Sequence, residues 1–579
     1  MHRYPTWILI AFLGVFILSA CAPAAAPAVD NQPPPAQPTD TTQPPAPTVA
    51  EPTSIPTPAS TATPEPSVPP GPAGVYRVGV NYPCDALLVL QSCGTLFTEL
   101  VMQTLAAPKW NGEGLQPLLA ERWELENGGK SVIYYLRQDV KWHDGTPFTA
   151  DDVIFSLELY SDFPDRFMGT RGLFGNVIGY AEKRDGSVSS LSGVTRIDDY
   201  TVKIDIAGQW RTLTELHIPR MVVLPAHLLS EEAALSVENV FWEKPVGTGP
   251  FIISEHEKGE SVTAVANPDY FLGKPKLDKI EITVYRNLAQ AFEDLENGEL
   301  DAYPVSMGGG IPMDRFEQVK TWPHVTTVNN RRSNIELLVN LNDPLLQDAR
   351  VRQAMLYAID REKILTDVYK DNLQIANTIF AQDWAIPDTL NPYDYDPELA
   401  KQLLTDAGWN FDTELHFISD DSLSMSVDQL AVEAVVADLT AVGMKINLVW
   451  VGTQEFELAV GSNQFQIVYG GEVRSLDPIM STALLTCGNP NAYGYCNEEL
   501  DFYMQAGAND LDRAARAVSY HKVAEVVNEE LPRIWLWYGG LRHAYNNRIA
   551  GPVEHFAEQP LVLFGVPVYY EVHTWETRN

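Results

Sequence analysis

The sequence is poor in basic residues. Its 579 residues include 40 Lys and Arg against 76 Asp and Glu, which gives a formal net charge of −36 at pH 7. Such an acidic surface keeps a protein soluble and repels the phosphates of nucleic acids. We therefore expect no nucleic acid among its partners. Net charge leaves the ligand open, because a few residues define a buried site.

The signature motifs of common enzymes are absent. The chain contains no Gly-x-Ser-x-Gly, no His-Glu-x-x-His, no Cys-x-x-Cys and no Walker loop. Its eleven histidines are scattered along the chain. We therefore predict that the protein is not an enzyme and has no catalytic residues, cofactor or metal, although catalytic sets are sometimes assembled from distant positions.

The apolar run at the N-terminus is too short to span a membrane. Residues 7–18 are apolar and follow His2 and Arg3, a pattern typical of a secretory signal peptide. Leu18-Ser-Ala-Cys21 is similar to a bacterial lipobox, so we predict a signal peptide at 1–20 and lipidation of Cys21. The alternative is an ordinary signal peptide that is cleaved a few residues later.

Proline is concentrated in one segment. Residues 22–72 contain 17 prolines and no Lys or Arg, and such a composition cannot form a core. We predict that residues 21–74 are a lipidated, Pro- and Thr-rich tether that holds the folded part away from the membrane. Recognition of the Pro-rich segment by another domain is the alternative.

The four cysteines other than Cys21 form two local pairs. Cys84 and Cys93 are separated by eight residues, as are Cys487 and Cys496. In an oxidising, exported compartment this spacing indicates two disulfide-closed loops. Metal binding by the four thiols is the alternative, but neither pair has the Cys-x₂₋₄-Cys spacing of a zinc site.

The stretch 142–153, Trp-His-Asp-Gly-Thr-Pro-Phe-Thr-Ala-Asp-Asp-Val, lies between a strand pattern and a helix pattern. Thr149 and Asp152 have the spacing of a capping box, so the helix should begin near Ala150. His143 and Asp144 are neighbours in an extended segment and point to opposite faces, so we interpret them as part of a turn rather than a catalytic dyad.

This stretch resembles the signature of the family 5 extracellular solute-binding proteins, the receptors of ATP-driven importers for peptides, nickel chelates and some sugars. Further segments resemble the family in the same order, namely 245–252, 267–275, 298–301, 348–360, 397–408 and 532–536. The resemblance covers roughly residues 75–579.

The resemblance implies an α/β fold, a two-lobed periplasmic-binding-protein-like clamshell with an extra domain inserted in the first lobe. Lobe 1 would comprise 75–108, 245–332 and 541–579, the inserted subdomain 109–244, and lobe 2 333–540. Two chain crossings near Arg332 and Gly540 would serve as hinges.

Together with the lipobox-like motif at Cys21, the resemblance also implies a function. The protein would be a lipid-anchored monomer at the outer face of the cytoplasmic membrane or in the periplasm, where it delivers a small organic solute to the membrane permease of an ABC-type importer. The solute would be a peptide, a sugar or an organic acid. The alternatives are a tethered extracytoplasmic hydrolase and a sensing or scaffold protein derived from a receptor.

One segment departs from the family pattern. Residues 468–478 resemble the segment in which peptide-binding members place an aspartate that pairs with the peptide's α-ammonium group, but Arg474 stands at that position. A guanidinium repels an ammonium and matches a carboxylate, which disfavours a free peptide amine unless Glu472 takes over the role. Alternatively, Arg474 pairs with Glu472 or Asp477 on the cleft wall.

Aromatic residues in the regions that match the family's pocket are further candidates for ligand binding. They would stack on a sugar or another flat ligand, or else belong to the core or the cleft lining. These residues are Tyr82, Trp384, Tyr469 and Trp537.

Overall fold

The computed structural model describes residues 72–82, 84–85, 87, 99–109, 114–162, 176–207, 218, 221–230, 234, 236, 238–305, 310–370, 372–423, 426–473, 477–510, 512–557 and 569–578. The predicted signal peptide, Cys21, most of the tether, Cys93 and Arg474 lie outside these residues.

Strands and helices alternate along the chain. The strands are β1 Val75–Val80, β2 Ala106–Pro108, β3 Leu115–Pro117, β4 Ala120–Glu126, β5 Ser131–Leu136, β6 Val194–Asp198, β7 Thr201–Asp205, β8 Phe251–Glu257, β9 Ser261–Ala266, β10 Lys279–Val284, β11 Ala302–Val305, β12 Val325–Val339, β13 Gln374–Ile375, β14 Glu414–Asp420, β15 Lys445–Val451, β16 Ile467–Val473, β17 Arg533–Asn546, β18 Ile549–Ala550 and β19 Glu576–Thr577. The helices are α1 Ala150–Asp162, α2 Tyr180–Arg184, α3 Leu288–Glu296, α4 Met313–Val319, α5 Ala349–Ala358, α6 Arg361–Asp367, α7 Pro397–Asp406, α8 Val427–Ala441, α9 Thr453–Gly461, α10 Pro478–Thr482, α11 Glu498–Asn509, α12 Arg513–Glu530 and α13 Pro552–Ala557.

One sheet runs through both lobes. Its strand order is β15-β14-β16-β12-β17-β11-β1-β10-β9-β8, and β13 pairs with β17. β12 and β17 are long antiparallel partners whose register extends from Val325↔Asn546 to Leu338↔Arg533. Their outer neighbours belong to lobe 1 at one end and to lobe 2 at the other. These two strands therefore connect the lobes.

The ladder between β12 and β17 is irregular at the place where we predict that the chain passes from one lobe to the other. The register shifts between Arg331 and Ser333, opposite Gly539 and Gly540. Such a shift bends a strand and locally interrupts its pairing. The predicted crossings, Arg332 and Gly540, lie at this break, whereas the predicted domain boundaries stay a prediction.

Each part of the fold has its own core. The lobe 2 core is built around Leu337, Tyr520, Trp535 and other buried side chains. A separate core lies between helix α1 and the four-stranded sheet β4-β5-β7-β6, within the predicted inserted subdomain. Two smaller clusters pack on the two faces of the lobe 1 sheet.

The family-like stretch that leads into α1 is held by internal hydrogen bonds. Asp152 is buried and accepts hydrogen bonds from Trp142 Nε1 at 3.2 Å and from the Thr149 amide at 3.0 Å. His143 accepts a hydrogen bond from the Gly247 amide through Nδ1 at 3.2 Å. The stretch thus fixes the start of the helix and the connection to lobe 1, and its role here is structural.

The predicted disulfides have different outcomes. Cys487 and Cys496 form a disulfide. Cys84 is buried and also belongs to a disulfide, but its predicted partner Cys93 lies outside the described residues. Within the described ranges, no helix is both long enough and apolar enough to cross a membrane.

Candidate functional site

The structure brings two of the predicted aromatic residues together. Tyr469 on β16 and Trp537 on β17 are both buried, and their ring centroids lie 6.4 Å apart. The two strands flank β12, where Tyr469 is opposite Leu337 and Trp537 is opposite Ile335. Alternation along the strands places these side chains on one face of the sheet.

Tyr369 joins this pair and was not predicted. Its ring centroid lies 5.4 Å from that of Trp537, and its hydroxyl lies 3.2 Å from the Tyr469 hydroxyl. The Tyr369 hydroxyl donates its proton to Asp428 Oδ1 at 2.6 Å. In the hydrogen bond between the two tyrosines, the Tyr469 hydroxyl is therefore the donor and the Tyr369 oxygen the acceptor. Burial raises the pKa of both hydroxyls, which therefore stay protonated. The result is a hydrogen-bonded chain from Tyr469 through Tyr369 to Asp428.

Asp428 lies in the first turn of α8. The helix begins after Ser426, whose hydroxyl accepts a hydrogen bond from the Asp428 amide at 3.2 Å. A carboxylate is favoured at a helix N-terminus, where unpaired amides carry partial positive charge. Asp428 is only partly buried, whereas the Tyr369 hydroxyl that donates to it belongs to a buried side chain.

Arg542 provides the nearby positive charge from the lobe 1 end of β17. Its Nε donates to the Ile311 carbonyl at 2.8 Å and its Nη1 to the Gly540 carbonyl at 3.3 Å. Burial lowers the pKa of this guanidinium, and the negative charge of Asp428 opposes that shift. A cation on the lobe 1 side and an anion on lobe 2 thus influence each other across the junction.

Trp384 lies apart from this cluster. It belongs to a short 3₁₀ helix, Asp383–Ala385, that packs against α12. The guanidinium carbons of Arg513 and Arg516 lie 5.0 and 5.4 Å from its ring centroid, and the Tyr520 ring meets it edge to face at 5.8 Å. The ring is therefore engaged by groups within lobe 2.

The other candidates occupy different places. Tyr82 follows β1 in lobe 1, where it packs against the core and burial raises its pKa. Glu472 pairs with Asn334 in the register of β16 and β12. Arg474 lies outside the described residues. Asp477, one of its predicted alternative partners, is bound by Arg516. The predicted ligand-binding set as a whole stays a prediction.

The residues that sequence reasoning missed are Tyr369, Asp428 and Arg542. The available signals were weak, since Ser426-Val-Asp428 matches an ordinary helix start and Tyr369 follows an ordinary helix end. The described ranges contain no group of three or more His, Cys, Asp or Glu side chains arranged to bind a metal. Tyr369, Tyr469 and Trp537 are buried in the lobe 2 core. The partly buried Asp428 and Arg542 add a carboxylate and a guanidinium beside these rings.

Two lobes that share a sheet through two crossing strands, with charged groups on both sides of the junction, define a solute-binding protein of the clamshell type. The family model for bacterial extracellular solute-binding proteins, family 5 (middle region), matches residues 114–492. The chain belongs to this family.

Individual relatives match over most of their length. Heme-binding protein A of Haemophilus influenzae is 25% identical over 510 residues, which cover 84% of this chain and 89% of the relative. The dipeptide-binding protein of Escherichia coli is 25% identical over 462 residues, or 76% of this chain and 83% of the relative. The structure of HbpA2 from Haemophilus parasuis superposes with a TM-score of 0.73 at 23% identity and covers 87% of this chain and 100% of that one. The predicted family and the predicted two-lobed α/β fold are confirmed.

Proposed function

We propose that the protein is a lipid-anchored extracytoplasmic receptor that binds a peptide-like or other small organic solute and delivers it to the permease of an ABC-type importer. The observation that carries this proposal is the pair of strands, β12 and β17, that joins the lobes at an irregular ladder. A few residues at such a crossing absorb the backbone rotation of closure. Binding between the lobes would then be coupled to their relative position.

The relatives support the class of function and leave the solute open. The protein from H. influenzae is named for heme and that from E. coli for dipeptides. Proteins of one fold thus differ in the molecule they bind, because specificity depends on a few residues in the cleft. The solute of this chain has to be inferred from its own residues.

The candidate site favours a solute that has both hydrogen-bond donors and hydrogen-bond acceptors. Asp428 accepts hydrogen bonds and Arg542 donates them. From the sequence we also expect the guanidinium of Arg474 in the cleft. A guanidinium matches the two oxygens of a carboxylate. We therefore infer an organic solute with an acidic or hydroxyl-rich head. A peptide whose free amine is not the main anchor also meets this description.

Native mass spectrometry of the protein purified from its own host tests the proposal. We expect a small molecule of constant mass to remain bound and to leave unchanged after denaturation. Thermal-shift measurements with the recovered molecule should then show a rise in melting temperature that depends on its concentration. Release of a chemically altered product would instead indicate a hydrolase. A protein that binds no solute under either condition would contradict the receptor proposal.

A further inference from the structure

One residue at the junction of the lobes forms hydrogen bonds to lobe 1 from a lobe 2 segment. Asn372 lies between α6 and β13, three residues after Tyr369. Its side chain accepts a hydrogen bond from Lys320 Nζ at 2.5 Å and donates one to Glu317 Oε1 at 2.8 Å. Its carbonyl oxygen accepts a hydrogen bond from the Asn329 side chain. Three hydrogen bonds therefore link this residue to lobe 1.

The helix beside two of the lobe 1 partners contacts both lobes. Phe316 and Val319 of α4 are buried in a lobe 1 cluster, and Met313 at its start is buried in the lobe 2 core. At the end of this helix Lys320 Nζ lies 2.7 Å from Glu317 Oε1. Hydrogen bonds from Lys320 and Asn372 lower the pKa of the Glu317 carboxyl. The end of α4 thus presents a preformed cation and anion to the amide of Asn372.

The third lobe 1 partner lies on the hinge strand. Asn329 belongs to β12, opposite Arg542 and close to the register shift. A Cβ atom on Gly540 would lie 2.2 Å from Asn329 Oδ1. Only a residue without a side chain therefore lets Asn329 occupy its place against β17 and reach Asn372. The hydrogen bonds of Asn372 are in this way tied to the strand at which the lobes meet.

Open space lies beside these hydrogen bonds. A cavity of about 310 Å³ has walls from both lobes, including Phe316 and Thr327 of lobe 1 and Leu373 and Gln374 of lobe 2. Close-packed side chains resist displacement, whereas polar groups beside a cavity can exchange a protein partner for water at modest cost. The contact at Asn372 is therefore able to bias the position of the lobes without locking it.

We propose that Asn372 is a positioning residue that holds the lobes in the arrangement of this structure. Loss of its side-chain bonds to Glu317 and Lys320 releases lobe 2 to move about β12 and β17, since the bond from Asn329 goes to the backbone carbonyl of residue 372. Asn372 then affects solute affinity through the populations of the lobe arrangements. The apparent affinity is lower when the arrangement that binds the solute better is less populated in the solute-free protein. The proposal concerns the solute-free protein and does not require the solute to be known.

Pulsed electron paramagnetic resonance on the solute-free full chain tests this proposal. Spin labels at Lys274→Cys in lobe 1 and Ala437→Cys in lobe 2, both exposed positions, report the distance between the lobes. A Cys21→Ser background removes the thiol predicted to carry the anchor. In Asn372→Ala we expect a second distance population to increase about fivefold, since the loss of even one net hydrogen bond changes a population by that order.

A variant on the other side of the contact separates the lobe contact from the folding of the turn. Asn372 Nδ2 also donates to the Tyr369 carbonyl at 2.9 Å within its own turn. Replacement of the exposed pair Glu317 and Lys320 by Ala removes the two lobe 1 partners of the Asn372 side chain and leaves that turn bond intact. We expect this double variant to change the distances in the same direction as Asn372→Ala.

Asn410→Ala provides the matched control, because Asn410 is an exposed amide in a lobe 2 turn. Its distance distribution should equal that of the parent protein. The proposal is overturned if the Asn372→Ala and the Glu317/Lys320 variants also match the parent. It is equally overturned if Asn372→Ala alone changes the distances, since the turn bond would then be responsible.

Discussion

Arg516 holds Asp477 through both carboxylate oxygens. Its Nη2 lies 2.6 Å from Oδ1 and 2.7 Å from Oδ2, and the two side chains are 6% and 11% exposed. The pair joins α12 to the start of α10, directly after the segment that contains Arg474. The end of the predicted cleft segment is thus anchored to the lobe 2 core by a buried ion pair.

Removal of the cation should destabilise the protein strongly. In Arg516→Ala we expect the free energy of unfolding to fall by about 3–5 kcal/mol, because Asp477 would remain buried without its partner. Urea denaturation followed by circular dichroism measures the change. Lys522→Ala breaks an exposed ion pair with Glu525 on the same helix and should cost less than about 1 kcal/mol. Equal effects of the two substitutions would contradict the assignment.

The local pattern of the sequence predicted elements well and long-range polar contacts poorly. The stripe of Val351, Ala354 and Met355 is buried in α5, as its helical spacing indicates. Arg352 should lie away from this stripe, yet it is 3% exposed. Its guanidinium donates to the Leu531 carbonyl at 2.8 Å. No periodicity reveals an acceptor that is so distant in the chain.

The candidate site shows the same division. Tyr469 and Trp537 lie on strands whose apolar pattern is visible, and they meet because β12 separates those strands in one sheet. Tyr369 and Asp428 are 59 residues apart and meet only through tertiary packing. Sequence alone gives Asp428 the ordinary role of an acid at a helix start. Its hydrogen bond to a buried tyrosine needs the structure.

The Cys487–Cys496 disulfide should contribute measurably to stability. It closes a loop of about ten residues, for which the chain-entropy model gives about 2–3 kcal/mol. Simultaneous replacement of both cysteines by Ser should lower the free energy of unfolding by that amount in chemical denaturation. Labelling of the denatured, unreduced parent protein should modify neither thiol. Modification of either cysteine would show that the bridge does not form.

The partly buried His143 predicts a loss of stability in acid. Burial lowers its pKa to about 4, whereas histidine in an unfolded chain titrates near 6.5. As the pH falls, the unfolded state therefore binds a proton before the folded state does. The contribution of neutral His143 to the free energy of unfolding is complete above about pH 6.5 and is lost as the pH falls towards 4. The loss should be at most about 3 kcal/mol.

Comparison of variants isolates this contribution from other titrating groups. His143→Gln should flatten the fall in unfolding free energy between pH 6.5 and 4 relative to the parent. His416→Gln, a substitution at an exposed histidine, should leave the fall as it is. Denaturation curves at several pH values provide the measurement. The same slope in His143→Gln and in the parent would refute a neutral His143 in the folded state.

The predicted membrane anchor is attached at Cys21, which directly follows the predicted signal peptide. We expect the parent protein to fractionate with membranes and Cys21→Ala to be released in soluble form, because a diacylglyceryl group provides far more buried hydrocarbon than a protein surface does. Cys487→Ser leaves the anchor thiol in place and serves as the control in the same fractionation. A Cys21→Ala protein that remains wholly with the membrane would exclude this mode of anchoring.

The affinity for the solute should depend on Arg474, which stands where peptide-binding members of the family have an ammonium-binding aspartate. In Arg474→Ala we expect the affinity for the best-binding organic acid or oligosaccharide to fall more than tenfold, about 1.4 kcal/mol, because a guanidinium in the cleft pairs with a carboxylate and repels an ammonium. Thermal-shift screening followed by calorimetry measures the effect, and free peptides should rank below acidic or hydroxyl-rich solutes in the parent. Arg350→Ala, a substitution at an exposed arginine of lobe 2 that pairs with Asp348, should leave the affinity unchanged. A free peptide that binds tightly and equally well to the parent and to Arg474→Ala would show that the amine is anchored elsewhere, with Glu472 and Asp428 as the acids to test next.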